Sequence, residues 1–166
     1  MVNYQTIRIE NQMFERKAVG MHSKYDALKL DAQLCFPLYA CSRKIVKMYH
    51  PYLAELGLTY TQYITMLVLW ERQKISAKEL GTKLYLDSGT LTPVLKSLEK
   101  KGLIGRYRSE EDERVLLVEL TEEGLALRER ALKIPYQLKA RLNLDHEEAY
   151  QLYQMLGRLL QENPME

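Results

Sequence analysis

The sequence has 166 residues, of which 46% are hydrophobic and 28% are charged, with a formal net charge of +2. This length suits one domain, and the composition is that of a folded soluble protein rather than of a disordered chain. Because no apolar run approaches the roughly 18 residues of a membrane-spanning helix and the N-terminus is too polar for a secretory signal, we expect a cytoplasmic protein with no membrane partner.

The charge is divided unevenly along the sequence. Residues 72–108 contain nine Lys or Arg against three Asp or Glu, whereas residues 109–123 contain one Arg against seven acidic residues. Solvent-exposed helix faces and a nucleic-acid-binding surface would both explain such a basic block. Charge alone does not decide between these two interpretations.

The N-terminal part predicts an extension followed by helices. Residues 1–24 show no sustained periodicity and form an extension of uncertain order. From Ala27, apolar residues recur at helical spacing until Pro51, and a kink is expected at Pro37 because proline removes a backbone hydrogen bond. A short helix from Pro51 to Gly57 should follow.

The central part carries three capping signals. Thr59 can cap an apolar helix, and Ser76 with Glu79 has the form of a capping box that opens a second, short helix. Asp87 can cap a third helix, which should end at Gly102. Two short helices in tandem predict a helix-turn-helix.

A β-hairpin is expected directly after the helix-turn-helix. Residues 103–108 and 115–120 have the pattern of strands, and residues 109–114 form a polar tip between them. A hairpin in this place is the wing of a winged helix. The predicted fold class is therefore mainly α with a small β-hairpin wing, a winged helix-turn-helix.

The C-terminal part predicts two amphipathic helices. Thr121 can cap a long helix that runs to about Arg141 and bends at Pro135, and Asp145 with Glu148 can open a final helix. The helices on either side of the helix-turn-helix and its hairpin carry more apolar residues than one small DNA-binding domain can bury. Packing within the chain is one explanation, and dimerisation, which sets two recognition helices about 34–36 Å apart on DNA, is the better one.

From about Tyr25 to Glu162 the sequence resembles repressors of the MarR family. LYLDSGTLTPVLKSLEKKGLI at 84–104 and RSEEDERVLLVELTEEG at 108–124 are similar to the recognition helix and wing of that family. LDSGTLTP, together with LCF at 34–36 and LTYTQY at 58–63, resembles the OhrR-like branch, which senses organic hydroperoxides.

This resemblance implies a MarR-like dimer that is not an enzyme. No C-x-x-C motif or cluster of histidines indicates a metal site, and we expect no cofactor. Its partners would be a second copy of the chain and a pseudo-palindromic double-stranded DNA operator. Residues 25–58 would form dimerisation and sensor helices, residues 59–120 the DNA-binding region, and residues 121–166 the C-terminal dimerisation helices.

The candidate DNA contacts are of three kinds. Short side chains and unpaired backbone N–H groups at the start of the recognition helix can approach base edges and phosphates. These residues are Ser88, Gly89, Thr90, Thr92 and Pro93. Candidates for phosphate contacts are Lys83, Lys96 and Arg108. The resemblance implies that Arg114 enters the minor groove, aimed by Asp112; a simple salt bridge between these two residues is the alternative.

The two cysteines, Cys35 and Cys41, are expected to be free thiols. Six residues apart on a helix, they are too far from each other for a disulfide. Packing as a small hydrophobic residue is the usual role of a free cysteine, and we expect it for Cys41. The resemblance assigns Cys35 as the redox sensor.

Three tyrosines accompany the proposed sensor. The resemblance assigns Tyr49 and Tyr60 to it, since phenolic O–H groups can stabilise a thiolate, and Tyr39 shares a helix face with Cys35. Tyr49 is fourteen residues after Cys35, about 21 Å along a continuous helix, so its hydrogen bond to the thiol should cross the dimer.

The sequence has no further cysteine after Cys41, unlike members of the branch that use two cysteines. Oxidation of Cys35 would then lead from a sulfenic acid to a mixed disulfide with a small cellular thiol, or to a sulfenamide.

Two other functions compete with a redox-controlled repressor. One is a MarR-type regulator switched by a small phenolic or aromatic ligand, in which Cys35 would be incidental. The other is a thiol enzyme such as a peroxidase; it leaves the basic helix-turn-helix unexplained, and no activating base or resolving cysteine is recognisable.

Overall fold

The computed structural model of the chain describes residues 23–162. The extension predicted for residues 1–24 therefore lies almost wholly outside the described residues. The described part of the chain divides into two compact units, one ending at Lys47 and one beginning at Met48.

Within the described range, the helices and strands follow the predicted mainly α pattern. The helices are α1 (Cys35–Leu56), α2 (Tyr60–Arg72), α3 (Ala77–Leu84), α4 (Ser88–Lys100), α5 (Glu122–Ala131), α6 (Ile134–Leu142) and α7 (His146–Glu162). The strands are β1 (Lys74–Ser76), β2 (Ile104–Arg108) and β3 (Leu116–Leu120).

The predicted start of the first helix is wrong. Residues 26–28 and 30–32 form short 3-10 turns, and α1 begins only at Cys35. Pro37 therefore falls in the first turn of α1, where a helix has no intrahelical bond for its missing N–H to break. Because α1 begins at Cys35, Pro37 breaks no hydrogen bond of the helix, and the predicted kink is not expected there.

The predicted break at Pro51 is also wrong, because α1 continues through this residue to Leu56. Leu53 is buried in the core, and Tyr52 and Leu56 pack against it. This burial offsets the hydrogen bond that Pro51 cannot make. The helix ends where the sequence predicted, at Gly57, whose φ of 65° is the left-handed conformation typical of a residue after a helix.

The core of the second unit forms around α2. Tyr63, Met66 and Leu69 are buried in it, and the predicted cap is confirmed by the hydrogen bond from the Gln62 backbone N–H to the Thr59 hydroxyl. The Trp70 indole N–H donates to the backbone carbonyl of Gly124 over 2.8 Å, which attaches α2 to the start of α5.

The predicted helix-turn-helix is confirmed. Ser76 and Glu79 form the capping box of α3, and the Asp87 carboxylate caps α4 by accepting from the Thr90 backbone N–H over 2.8 Å. Leu91, Leu95 and Leu98 are buried, so α4 commits one face to the core. Its opposite face remains exposed.

The wing is an antiparallel hairpin of β2 and β3, within one residue of the predicted strands. The strand β1, which the sequence analysis missed, pairs with the other side of β3, giving the order β1-β3-β2. Three residues are too few for an alternating pattern to identify a strand.

The C-terminal region has three helices instead of the predicted two. The long helix predicted to bend at Pro135 is interrupted at residues 132–133, and Pro135 instead lies at the start of α6, where its fixed φ suits the first helical turn. The predicted opening of α7 is confirmed, because the backbone N–H groups and carboxylates of Asp145 and Glu148 bond reciprocally. None of the described helices is long and apolar enough to span a membrane.

Gly124→Ala tests the packing of the wing base against α5. A Cβ atom at Gly124 would lie 2.1 Å from the backbone carbonyl oxygen of Leu103, and that oxygen is held by the Thr121 N–H. We expect urea unfolding to show a loss of about 3 kcal/mol or more, since overpacking against backbone cannot relax. The control Gly105→Ala, with no atom within 4 Å of its Cβ, should change stability by less than about 1 kcal/mol. Equal effects of the two substitutions would contradict this packing.

Candidate DNA interface and thiol site

The start of α4 presents a polar, exposed surface. All five residues predicted there are exposed: Ser88, Gly89, Thr90, Thr92 and Pro93. The Thr90 backbone N–H and hydroxyl both donate to the Asp87 carboxylate, and these bonds hold the pKa of Asp87 below its usual range. The Thr92 hydroxyl donates to the Ser88 carbonyl over 2.7 Å. Both threonine hydroxyls retain oxygen lone pairs for an incoming donor.

The tip of the wing is organised by Asp112. Its carboxylate oxygen accepts from the Arg114 backbone N–H at 3.0 Å and from Arg114 Nε at 3.1 Å, and these bonds lower the pKa of Asp112. The side chain of Arg114 is nevertheless 91% exposed. The salt bridge and an outward-reaching guanidinium therefore coexist.

The other three predicted cations have different surroundings. Arg108 Nη1 donates to the Arg114 carbonyl over 3.0 Å, so this arginine also supports the wing tip. Lys83 Nζ lies 3.7 Å from Glu71 Oε1. Lys96 is exposed on α4 and forms no ion pair with any residue between 23 and 162.

Both cysteines are free, as predicted, and both are exposed. Cys35 is the first residue of α1, where unpaired backbone N–H groups give the helix end a partial positive charge that attracts anions. Cys41, for which we expected a packing role, is exposed as well in the single chain.

Tyr39 has a partner that the sequence analysis missed. Arg43 Nη1 donates to the Tyr39 phenolic oxygen over 2.7 Å, and the guanidinium lies 5.5 Å from the ring centroid. Because the Tyr39 oxygen accepts this bond, its own O–H remains available as a donor. The spacing of four residues between Tyr39 and Arg43 was the signal in the sequence.

Tyr49 and Tyr60, both assigned to the sensor by the family resemblance, lie side by side with ring centroids 5.0 Å apart. Tyr63 extends the cluster, 5.7 Å from Tyr49, and was not predicted. Burial, with a contribution from the two neighbouring phenols, raises the pKa of Tyr49 to about 12, and burial also raises the pKa of Tyr60 and Tyr63. These phenols stay protonated at neutral pH and can donate hydrogen bonds.

Of the predicted sensor residues, the structure brings Tyr49 and Tyr60 together. Cys35 and Tyr39 belong to the unit up to Lys47, and Tyr49 and Tyr60 belong to the unit from Met48 onward. Among residues 23–161, no group of three or more His, Cys, Asp or Glu side chains could hold a metal ion.

Comparison with known proteins identifies relatives over most of the chain. Residues 47–130 match the family model of the transcriptional regulators SarA/Rot. The organic hydroperoxide resistance transcriptional regulator of Bacillus subtilis (strain 168) is 49% identical over 141 residues, which are 85% of this chain and 96% of that relative.

Solved structures with the same fold include complexes with DNA. AbfR of Staphylococcus epidermidis is bound to DNA in a reduced form (33% identity, TM-score 0.69) and in an overoxidized form (34%, 0.68), each covering 84% of this chain and 98% of the other. A mutant MarR from E. coli complexed with operator DNA is 26% identical, with a TM-score of 0.72 over 83% of this chain and 99% of that one.

The winged helix and these relatives define the chain as a transcriptional regulator and not an enzyme. It belongs to the family of MarR and SarA/Rot regulators, and within that family it is OhrR-like, as the sequence predicted.

The buried tyrosine cluster predicts a stability change at alkaline pH. Because the pKa of Tyr49 is higher in the folded chain than its ordinary value of 10.0, the neutral phenol stabilises the fold below pH 10. That contribution is lost as the pH rises from 10 towards 12. We expect urea unfolding to show a smaller alkaline loss of stability for Tyr49→Phe than for the wild type. Tyr136→Phe, which alters an exposed ring, is the control and should follow the wild type; an equal loss in all three proteins would contradict the cluster.

Proposed function

We propose that this chain is a homodimeric repressor that binds a pseudo-palindromic DNA operator and leaves it when Cys35 is oxidised by an organic hydroperoxide. The observation that carries the proposal is the exposed Cys35 thiol at the start of α1, in a chain 49% identical to an organic hydroperoxide resistance regulator.

DNA binding is supported by the exposed start of α4 and by the wing. In this proposal the residues from Ser88 to Pro93 enter the major groove, where short side chains reach base edges. Arg114, held by Asp112 at the wing tip, enters the minor groove, whose negative potential favours a guanidinium. Lys83, Lys96 and Arg108 would contact phosphates. The AbfR and MarR complexes with DNA support the same use of this fold.

Dimerisation is supported by apolar side chains that the single chain leaves exposed. On α7 they are Tyr150, Leu152, Tyr153, Met155, Leu156 and Leu160. Near the start of α1 they are Leu28, Leu30, Leu34, Phe36 and Leu38. Large apolar side chains that recur along one exposed helix mark an interaction site, and we assign each of these two sets to contact with a second copy of this chain.

A second copy would also complete the sensor. The helical rise over the fourteen residues from Cys35 to Tyr49 is about 21 Å, too long for a hydrogen bond within one chain. In an antiparallel pair of α1 helices, Tyr49 and Tyr60 of one copy would donate to the Cys35 thiolate of the other. Their raised pKa values keep both phenols protonated for this role.

The proposed chemistry has two steps. The Cys35 thiolate attacks the outer oxygen of the hydroperoxide, an S–O bond forms as the O–O bond breaks, and the peroxide leaves as an alcohol while the sulfur is oxidised to a sulfenic acid. A small cellular thiol then attacks this sulfur, forming a mixed disulfide as water leaves.

The bulk of the adduct is the proposed cause of release. Close-packed interiors absorb little added volume without moving, so an adduct between helices of the dimer would displace them and the two recognition helices. Overoxidized AbfR has been solved bound to DNA, so overoxidation of that protein is compatible with DNA binding.

Control by a small aromatic ligand has less support. A groove of about 520 Å³ lies between the end of α1 and helices α5 and α6, but four of its lining residues are charged: Glu55, Glu129, Arg130 and Lys133. Glu55 is already paired with Lys133 at 3.1 Å. Such a lining suits an apolar ring poorly.

The wing and α4 should contribute to DNA binding in different ways. The probe is a duplex selected from a random-sequence library by the reduced wild-type protein, and the measurement is fluorescence anisotropy across a salt series. Arg114→Ala should weaken binding by about 1–3 kcal/mol and relax the preference for the selected sequence. Lys96→Ala should reduce the salt dependence with little change in preference. The control Arg128→Ala removes one charge from α5 and should bind as the wild type does; unchanged binding by the Arg114 variant would remove the wing from the interface.

The two cysteines provide a matched test of the redox switch. Cys35→Ser is nearly isosteric, so the reduced protein should bind the selected duplex normally but fail to release it after cumene hydroperoxide and free cysteine are added. Cys41→Ser should release it like the wild type. If Cys35→Ser still releases DNA, or the wild type does not, then the proposed sensor is wrong.

A further inference from the structure

A hydrogen-bonded network joins the end of the recognition helix to the turn between α1 and α2. Lys101, the residue that follows α4, directs its ammonium to the Gly57 carbonyl and, over 2.8 Å, to Gln62 Oε1. Gln62 Nε2 donates in turn to the Ser97 hydroxyl over 2.9 Å. The network spans 35 to 44 residues of sequence, so it is a tertiary contact and not a local cap.

Gln62 is the centre of this network and is only 6% exposed. Its side-chain oxygen accepts from Lys101 and from the Thr59 backbone N–H, and its side-chain nitrogen donates to Ser97. A buried amide is costly unless its polar atoms are paired, so loss of Lys101 would leave Gln62 with one fewer partner. Partial desolvation lowers the pKa of Lys101, although the residue as a whole is exposed.

The network lies between the tyrosine cluster and the DNA-reading helix. Gly57 ends α1, the helix that carries Tyr49, and Gln62 lies in the first turn of α2, two residues after Tyr60. On its other side, the last turn of α4 is tied to the wing by the ion pair of Glu99 with Arg106 on β2. A displacement of the α1–α2 turn would therefore be passed to α4 and to the wing together.

We infer that Lys101 and Gln62 are positioning residues that hold α4 against the α1–α2 turn and couple the movement of that turn to operator affinity. The coupling part of this inference rests on the proposed function. A direct phosphate contact is the other role open to Lys101, but two protein acceptors already engage its ammonium.

The test uses Lys101→Met, which keeps most of the aliphatic stem and removes the charge, and Gln62→Leu, which removes the amide. The matched control is Lys100→Met, because Lys100 is exposed next to Lys101 and forms no ion pair with residues 23–161. The probe is the duplex selected by the reduced wild-type protein. Affinity is measured across a salt series, and thermal unfolding identifies any variant that does not fold.

Lys101→Met and Gln62→Leu should each weaken binding by about tenfold without changing the salt dependence, and the double variant should bind no more weakly than either single one. Lys101→Arg retains charge and donors and should restore most of the affinity. The control Lys100→Met should lose no more affinity than the removal of one surface charge explains. The inference is overturned if Lys101→Met binds like the wild type, if its salt dependence falls by one phosphate contact, or if Lys100→Met loses as much affinity. Should Gln62→Leu not fold, the Lys101 variants decide the outcome.

A second measurement tests the coupling. The ratio of operator affinities before and after treatment with cumene hydroperoxide and free cysteine should be smaller for Lys101→Met than for the wild type. An unchanged ratio would overturn the coupling. If the wild type itself shows no change on oxidation, the proposed function has failed, whereas the affinities and salt dependence of the reduced proteins still decide whether Lys101 and Gln62 position α4.

Discussion

The attachment of α4 to the core by three leucines is the constraint on which the DNA-reading face depends. Leu91, Leu95 and Leu98 are each at most 3% exposed, and truncating such a residue typically costs about 2–5 kcal/mol. Because one face of α4 is committed to the core, the residues on the opposite face are fixed toward solvent. Two contacts at the last turn of α4 then fix the orientation of the helix. One is the hydrogen bond from Gln62 to Ser97, and the other is the ion pair of Glu99 with Arg106 of the wing.

The same contacts explain how a change at the proposed sensor can affect the recognition helix α4. Tyr49 lies on α1 and Tyr60 on α2, and the turn between these two helices is bonded to the end of α4. Two ring contacts keep the phenols in a cluster, and burial keeps them protonated. In the proposed dimer, a disturbance at Cys35 of one copy would reach the tyrosines of the other copy, and through them its recognition helix.

Much of this fold could be predicted because its boundaries are set by local side chains. Thr59, Ser76 and Asp87 each cap the helix that follows, and these bonds need only residues three positions away. The start of α1 could not be predicted, since apolar spacing continues before Cys35 while the backbone forms 3-10 turns. Neither could its passage through Pro51, which depends on tertiary burial of Leu53.

The candidate site was predictable only in part. The exposed residues of α4 and the pair of Asp112 with Arg114 follow from position in the motif. The family resemblance assigned Tyr49 and Tyr60 to the sensor, but not the contact between their rings. By contrast, the contacts of Lys101 join positions 39 and 44 residues apart, and no sequence pattern marks them. The central claim, that an adduct on Cys35 releases the operator, is tested most directly by following both events in one sample. During graded oxidation with cumene hydroperoxide and free cysteine, peptide mass mapping would give the fraction of Cys35 carrying the adduct, and anisotropy would give the fraction of duplex released. We expect the two fractions to rise together while Cys41 stays unmodified; release with Cys35 unmodified, or a full adduct on Cys35 with the duplex still bound, would contradict this claim.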